Sequence, residues 1–108
     1  MLNQKERECL AALYECTTAC LQCAAACVKE DDPKMMAASI ANDLECADIC
    51  RLAAASIARG GAHAKAICAL CTAACQACAA ECGKHQFDHC QHCAKSCQRC
   101  AESCLAMA

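Results

Sequence analysis

With 108 residues, the chain has the length of a single domain, and we predict that residues 1–108 form one unit. Its formal net charge of −2 gives no basis for binding nucleic acid or an anionic membrane surface, and no uninterrupted apolar run reaches membrane-spanning length. The apolar fraction of 58% consists largely of Ala and Cys, with 17 cysteines but only one Phe, one Tyr and no Trp, so a conventional core of large hydrophobic residues is not expected.

Two helices are predicted in the first half of the chain. The first covers about residues 3–29, a segment that is rich in Ala, Leu, Glu and Gln and contains no Gly or Pro. The segment Glu30-Asp31-Asp32-Pro33 ends this helix. Asp32 is predicted to be the N-cap of the second helix, with Pro33 in its first position, because Asp and Pro favour these two sites. The second helix then extends to about Ala58.

Two further helices are predicted in the second half. Gly60 and Gly61 are expected to end the second helix by supplying positive φ. The third helix covers about residues 62–82 and stops at Gly83, and the fourth covers about residues 87–106. Because the connections are short, sequential helices should be antiparallel neighbours. The predicted fold is all-α, an antiparallel up-down-up-down four-helix bundle with a cysteine-lined core.

The cysteines recur at the spacing of a buried helical face. Consecutive cysteines are separated by 3, 4, 3 and 4 residues in the third and fourth helices and by 7, 4, 3 and 4 in the first. At about 100° per residue, each group of five falls within a sector of about 80°. On the second helix the same face carries Met36, Ser39, Asp43, Cys46, Cys50, Ala53 and Ile57. The predicted metal ligands are therefore all the cysteines: Cys9, Cys16, Cys20, Cys23, Cys27, Cys46, Cys50, Cys68, Cys71, Cys75, Cys78, Cys82, Cys90, Cys93, Cys97, Cys100 and Cys104.

This spacing disfavours a disulfide scaffold and an iron–sulfur centre. Helical neighbours three or four residues apart have Cβ atoms about 5–6 Å apart, whereas a disulfide needs roughly 3.5–4.5 Å. Bridges between helices remain open to the chain, but an odd number of cysteines leaves one thiol over. Iron–sulfur clusters typically take cysteines from loop-like runs, and here the cysteines keep the helical period.

Copper(I) fits the thiols better than other soft metals. It accepts as few as two thiolates, roughly in line, and two metal–sulfur bonds span about 4.5 Å, which rotamers of an i,i+4 pair can supply. One monovalent cation per thiolate also leaves the core neutral, and soft ligands suit copper(I). We therefore predict multiple copper(I) ions as cargo. The alternatives are a protein that buffers or detoxifies zinc or another soft metal, and a thiol redox buffer.

The two ends of the predicted bundle differ in their side chains. One end, called the mouth here, gathers Met36, His85 and His89 around neighbouring cysteines, and we predict that these three residues are metal ligands. They could instead be solvated histidines and a packed methionine. Asp43 lies on the cysteine-bearing face of the second helix, where an unpaired buried carboxylate is costly. It could bind metal, bond a mouth histidine or reach Lys and solvent, and we favour a role in supporting the ligands. The opposite end is closed by apolar residues such as Ile57.

A storage function is predicted rather than catalysis. Cysteine beside histidine can form a nucleophile, but no single thiol is set apart and no third orienting group is evident. The polar amino-terminal residues lack the apolar region of a secretory signal, so a cytoplasmic location is expected, where thiols stay reduced. A copper carrier is the expected donor or acceptor of the ions.

The sequence resembles the bacterial copper storage proteins, specifically their cytosolic branch. The resemblance covers nearly the whole chain and rests on Cys-x3-Cys pairs in all four helices, on Glu45-Cys46-Ala47-Asp48-Ile49-Cys50, and on Glu81-Cys82-Gly83-Lys84-His85 followed by Asp88-His89-Cys90. It implies a four-helix bundle filled with copper(I), mostly through bis-thiolate sites, and a homotetramer. Because positions such as Leu13 and Ser39 lack thiols, the capacity cannot be copied from a relative.

Overall fold

The computed structural model describes all of residues 1–108 and contains four α-helices and no β-strand. Each helix packs against two others, in the pairs first–second, second–third, third–fourth and first–fourth, so the bundle is square in section. Its Cα atoms extend over 47 × 19 × 17 Å. The predicted all-α four-helix bundle is confirmed, with helices α1 (Gln4–Cys27), α2 (Ala37–Ala58), α3 (Ala64–Cys82) and α4 (Asp88–Met107).

Helix α1 begins with a reciprocal cap. The Asn3 Oδ1 atom accepts a hydrogen bond of 2.8 Å from the Glu6 backbone N–H, and the Glu6 Oε1 atom accepts one of 2.8 Å from the Asn3 N–H. These bonds satisfy two backbone donors that the first helical turn would otherwise leave unpaired. The start of the helix at Gln4 agrees with the prediction.

The predicted start of α2 is wrong, because the helix begins at Ala37 rather than at Pro33. The backbone N–H of Met36 donates to the Pro33 carbonyl at 3.1 Å, and that of Met35 donates to the Asp32 carbonyl at 3.2 Å. These bonds connect residues three apart, whereas an α-helix connects residues four apart. Asp32 Oδ1 also accepts from Met35 N–H at 3.3 Å, so Asp32 caps a tight turn that precedes the helix.

The two glycines after α2 have different roles. Gly60 has a φ of 62°, the left-handed conformation predicted for it. The prediction is wrong for Gly61, which has no positive φ. A Cβ atom at Gly61 would lie 2.6 Å from the Ser56 Oγ atom, so any larger residue there would require the buried Ser56 side chain to move. The Gly61 N–H donates to the Ser56 carbonyl at 2.8 Å, which holds the chain against the end of the helix.

The core is built from sulfur and small side chains. All 17 cysteines are buried, and the large hydrophobic residues buried with them are Leu13, Met36 and Ile57. The α2 face predicted from Met36 to Ile57 is buried at every position named for it. By length and composition alone, α1 and α3 could each span a membrane, but core helices of soluble bundles meet the same criteria.

Candidate metal-binding core

The 17 cysteines are free thiols that line the inside of the bundle along most of its length. Six pairs of cysteines four residues apart on one helix have sulfur atoms 3.8–4.0 Å apart; they are Cys16–Cys20, Cys23–Cys27, Cys46–Cys50, Cys71–Cys75, Cys78–Cys82 and Cys93–Cys97. These distances are far longer than the bond of about 2.05 Å in a disulfide.

Contacts between helices join these pairs into one network. Cys16 on α1 contacts Cys46 on α2 at 4.0 Å and Cys97 on α4 at 3.7 Å, both measured between Sγ atoms. Cys50 on α2 contacts Cys71 on α3 at 3.8 Å and Cys100 on α4 at 4.0 Å. These contacts connect thiols of all four helices into one continuous set of neighbouring sulfur atoms.

The network contains overlapping groups of four ligand atoms, all within 4.8 Å of one another. Two of the groups share Cys16 and Cys46, and two share Cys50 and Cys75. Sharing means that separate four-coordinate ions cannot fill every group, whereas ions bridged by common sulfurs can. Four of the groups comprise cysteines alone: Cys16/Cys46/Cys50/Cys75, Cys16/Cys20/Cys46/Cys97, Cys20/Cys78/Cys93/Cys97 and Cys50/Cys71/Cys75/Cys100.

The sulfur spacing bears on the coordination number. With metal–sulfur bonds of about 2.3 Å, two sulfurs on one metal lie about 4.5 Å apart in a linear site, about 4.0 Å in a trigonal site and about 3.8 Å in a tetrahedral site. The observed contacts, such as 3.9 Å for Cys46–Cys50, match the two shorter values. A linear site would therefore need small rotamer changes that move the sulfurs apart. Geometry admits copper(I) shared among three thiolates and also admits zinc.

His89 is the imidazole that reaches the thiols at the mouth. Its Nδ1 atom lies 3.4 Å from the Cys23 Sγ, 3.5 Å from the Cys90 Sγ and 4.0 Å from the Cys27 Sγ. The four residues form one more group of ligand atoms, which we call the mouth group. The Nε2 atom of His89, on the far side of the ring, lies 2.7 Å from the Glu30 Oε2 atom.

The other residues predicted for the mouth are placed differently. The His85 Nε2 atom lies 3.3 Å from the Glu81 Oε2 atom, and His85 makes no hydrogen bond to a thiol. Met36 is 1% exposed, whereas Met35 beside it is 61% exposed. The ligand roles of His85 and Met36 stay predictions, and the contacts favour His89 among the three.

Asp43 is fully buried and bonds three thiols. Its role in supporting the ligands stays a prediction. Its Oδ1 atom accepts from Cys78 at 3.2 Å, from Cys82 at 3.3 Å and from Cys93 at 3.2 Å. Its Oδ2 atom has no hydrogen-bond partner. Burial, and then the charge of Cys93, raise the pKa of Asp43 from 3.8 to about 7. The carboxyl therefore connects α2 to the thiols of α3 and α4.

Burial keeps two of the outer thiols, Cys68 and Cys90, protonated at neutral pH in the absence of metal. Desolvation raises the pKa of Cys68 to about 11 and that of Cys90 to about 12. Inside the network, hydrogen bonds between thiols act in opposite directions: Cys16 foremost lowers the pKa of Cys46, and Cys100 foremost raises that of Cys75. Since metal binds the thiolate, each bound ion must displace protons from this shared network.

Glu30 belongs to this site but was not among the predicted residues. The sequence places it in the connection after α1, far along the chain from His89. No local spacing signals a contact between a loop carboxylate and an imidazole on another helix. The contact could have been predicted only from the helical topology, which brings the end of α1 and the start of α4 to the same end of the bundle.

Comparisons with known proteins agree with this architecture. The family described as copper storage protein matches residues 2–108. The chain is similar to a copper(I)-bound copper storage protein, BsCsp3, with 45% identity and a TM-score of 0.93 over 97% of this chain and 99% of that chain. It is also similar to apo copper storage protein 3 from Bacillus subtilis, with 44% identity and a TM-score of 0.88 over 94% of this chain and 97% of that chain. A third similar structure is a cytosolic copper storage protein from Streptomyces lividans with five coppers, with 30% identity and a TM-score of 0.93 over 96% of this chain and 92% of that chain. No curated protein matches the chain.

Proposed function

The chain belongs to the copper storage protein family, and we propose that it stores many copper(I) ions as thiolate complexes inside its four-helix bundle. The observation that carries this proposal is the continuous network of buried thiols, in which neighbouring groups share sulfur atoms. A single metal site would use at most four of the thiols, and the core would gain more packing volume from Leu or Ile than from the remaining thiols.

Charge balance favours a monovalent cargo. Thiolates buried without counter-ions are very costly, so the number of bound positive charges should approach the number of thiolates. With 17 thiols, one copper(I) per thiol gives a neutral core in which sulfurs bridge ions. Divalent zinc would reach neutrality with half as many ions and would require the shared groups around Cys16 and Cys46 to be divided among them.

Zinc storage is the second candidate because the observed sulfur spacing also suits tetrahedral sites. A competition experiment separates the two. Reduced protein is equilibrated anaerobically with a copper(I) chelate and an excess of zinc, and the metals retained are then counted. We expect copper(I) to occupy the thiols and displace zinc, since soft ligands prefer copper(I). Retention of zinc in the presence of copper(I) would assign the chain to zinc buffering instead.

The ligand set follows from the network and the mouth. We propose that all 17 cysteines bind copper, that the His89 Nδ1 atom joins Cys23, Cys27 and Cys90 at the mouth, and that Asp43 orders the thiols beneath them. Met36 and His85 remain proposed ligands of the same end. We assign storage rather than catalysis to this site, because the thiols form one network in which none is set apart as a nucleophile.

A cytoplasmic location and a homotetramer complete the proposal. The Streptomyces lividans relative is described as cytosolic, and reduced thiols suit that compartment. Along α1 and its C-cap residue, the exposed residues Tyr14, Leu21 and Val28 recur every seven residues and so share one outward face. Such a stripe can pack against a second copy of the chain, and light scattering after size-exclusion chromatography would measure the assembly. A copper carrier would then deliver or receive ions at the mouth.

A further inference from the structure

The ring of His89 is held on three sides. Its Nδ1 atom faces the thiols of the mouth group, and its Nε2 atom lies 2.7 Å from the Glu30 carboxylate. The Phe87 ring stacks on it, with ring centroids 5.6 Å apart and planes within 2° of parallel. The backbone N–H of Glu30 donates to the Cys27 carbonyl at 3.2 Å, so the turn that carries the carboxylate is fixed to the end of α1.

This arrangement determines which ring nitrogen is able to bind a metal. An ionised carboxylate can only accept a hydrogen bond, so the nitrogen that faces Glu30 carries the hydrogen. In a neutral imidazole the other nitrogen then has a free lone pair, and in His89 that nitrogen is Nδ1, 3.4 Å from the Cys23 sulfur. Histidines that bind metals commonly donate their second N–H to a carboxylate, which orients the ring and makes the ligand more basic.

We propose that Glu30 is a positioning residue for copper uptake, which holds the His89 lone pair toward the three thiols of the mouth group. The inference deepens the proposed storage function and rests on it. Glu30 touches neither the thiols nor the interior of the store, so it acts through His89 on the first copper bound. It should govern the rate and affinity of that first step while leaving the total capacity unchanged.

A second carboxylate–imidazole pair, Glu81 with His85, differs from the Glu30–His89 pair in its relation to the thiols. His85 and Glu81 lie four residues apart around the end of α3, with Nε2 and Oε2 separated by 3.3 Å. His85 makes no hydrogen bond to a thiol, so this pair does not aim a lone pair into the mouth group. The Glu30–His89 pair, by contrast, joins two distant segments of the chain across the mouth.

The test measures uptake of the first copper equivalent by the full reduced chain. Stopped-flow transfer from a copper(I) chelate is compared for the parent, Glu30→Ala, Glu30→Gln, His89→Ala and the double variant Glu30→Ala/His89→Ala. Asp31→Ala is the matched control, because it removes the adjacent exposed carboxylate, which has no contact with His89. Circular dichroism verifies that each variant is helical, and the ring N–H signal of His89 is followed by NMR without copper.

We expect Glu30→Ala to slow uptake or weaken binding of the first equivalent about tenfold or more, the usual effect of losing such a partner. Glu30→Gln should retain much of the rate, since its amide oxygen still accepts the N–H, and Asp31→Ala should match the parent. The protected ring N–H signal should persist in Glu30→Gln and disappear in Glu30→Ala. In the His89→Ala background, the loss of Glu30 should have no further effect.

The inference is overturned if Glu30→Ala behaves as Asp31→Ala does, or if it slows uptake equally with and without His89. Either result would show that the carboxylate acts by its charge or not at all. Failure of the storage proposal is a separate outcome: it would appear as a low copper capacity of the parent protein, whatever the order of rates among the variants.

Discussion

Cys46 on α2 and Cys75 on α3 hold their Sγ atoms 3.6 Å apart, the shortest distance between two thiols in the core. Cys46 also contacts Cys16 on α1 at 4.0 Å, and Cys75 contacts Cys50 at 3.9 Å. The pair therefore lies at a junction of the network that three helices supply. A copper ion bound between these sulfurs has further thiolates within reach, so the site is not an isolated one.

Replacing this pair tests whether capacity scales with the number of thiols. Cys46→Ala and Cys75→Ala should each lower the copper capacity by about one ion, and the double variant by about two, if each thiolate is balanced by one cation. Each change should destabilise the metal-free protein by about 1 kcal/mol, the order for deleting a small buried group. Anaerobic titration and chemical denaturation measure the two quantities.

Thr72→Ala is the matched control, because Thr72 is buried on α3 and its hydroxyl donates to the Cys68 carbonyl at 3.0 Å without joining the thiol network. The copper capacity of the Thr72→Ala variant should equal that of the parent protein. A loss of four or more ions from one Cys→Ala change would mean that the ions form indivisible clusters rather than a divisible store.

Uptake and removal should depend on the mouth more than capacity does. Replacing Met36, His85 and His89 together by apolar residues should slow both processes and change the capacity by only a few ions, because the cysteine interior remains. Among the single variants, His89→Ala should have a larger effect than His85→Ala, since only His89 bonds the thiols. Stopped-flow transfer in both directions measures these rates, and an unchanged rate in the triple variant would place the route of copper elsewhere.

Asp43 should make the stability of the metal-free protein depend on pH. Its pKa is raised to about 7 by burial and then by Cys93, so between about pH 4 and 7 the folded state holds a proton that the unfolded state releases. The contribution of Asp43 to the free energy of unfolding is therefore largest below this range and declines as the pH rises through it, by at most about 4 kcal/mol.

The asparagine side chain of the Asp43→Asn variant cannot ionise, so its free energy of unfolding should not show this decline with rising pH. Asp48→Asn, on the exposed side of the same helix, should keep it. Denaturant unfolding at a series of pH values, under reducing and metal-free conditions, compares the three proteins. Parallel curves for the parent and Asp43→Asn would show that the carboxyl of Asp43 titrates normally.

Much of the fold follows from periodicity. The cysteine spacing predicts which face of each helix is buried, and the extension of that face through Ser39 and Asp43 on α2 is correct even though both residues are polar. The start of α2 cannot be predicted in this way. Capping preferences identify Asp32 as a cap, but they do not distinguish the cap of an α-helix from the cap of the tighter turn that Asp32 begins.

The site is predicted in its composition but not in its contacts. Spacing along one helix locates the i,i+4 thiol pairs, whereas contacts between helices depend on the axial stagger of the bundle. Only the folded bundle shows that His89 rather than His85 bonds the thiols, and that Glu30 meets His89 across 59 residues of sequence. These relations are set by packing in three dimensions, which a pattern along one helix does not contain.

The bundle should fold without metal. Its backbone forms 86 hydrogen bonds, 69 of them within the helices, and none of them requires an ion. Reduced apoprotein should therefore give a helical circular dichroism spectrum, and copper should raise its melting temperature by binding the folded state. A coil-like spectrum in the absence of metal would instead place the chain among folds that metal binding creates.

The central claim is that the thiols form one copper(I) store, and the copper stoichiometry tests it most directly. Reduced apoprotein is titrated anaerobically with copper(I) in the presence of a competing copper(I) chelator until the chelator retains the added ions. The account predicts saturation near one copper(I) per thiol, close to the count of 17 cysteines. Saturation at about four or five ions, the number expected for separate four-sulfur sites, would contradict it.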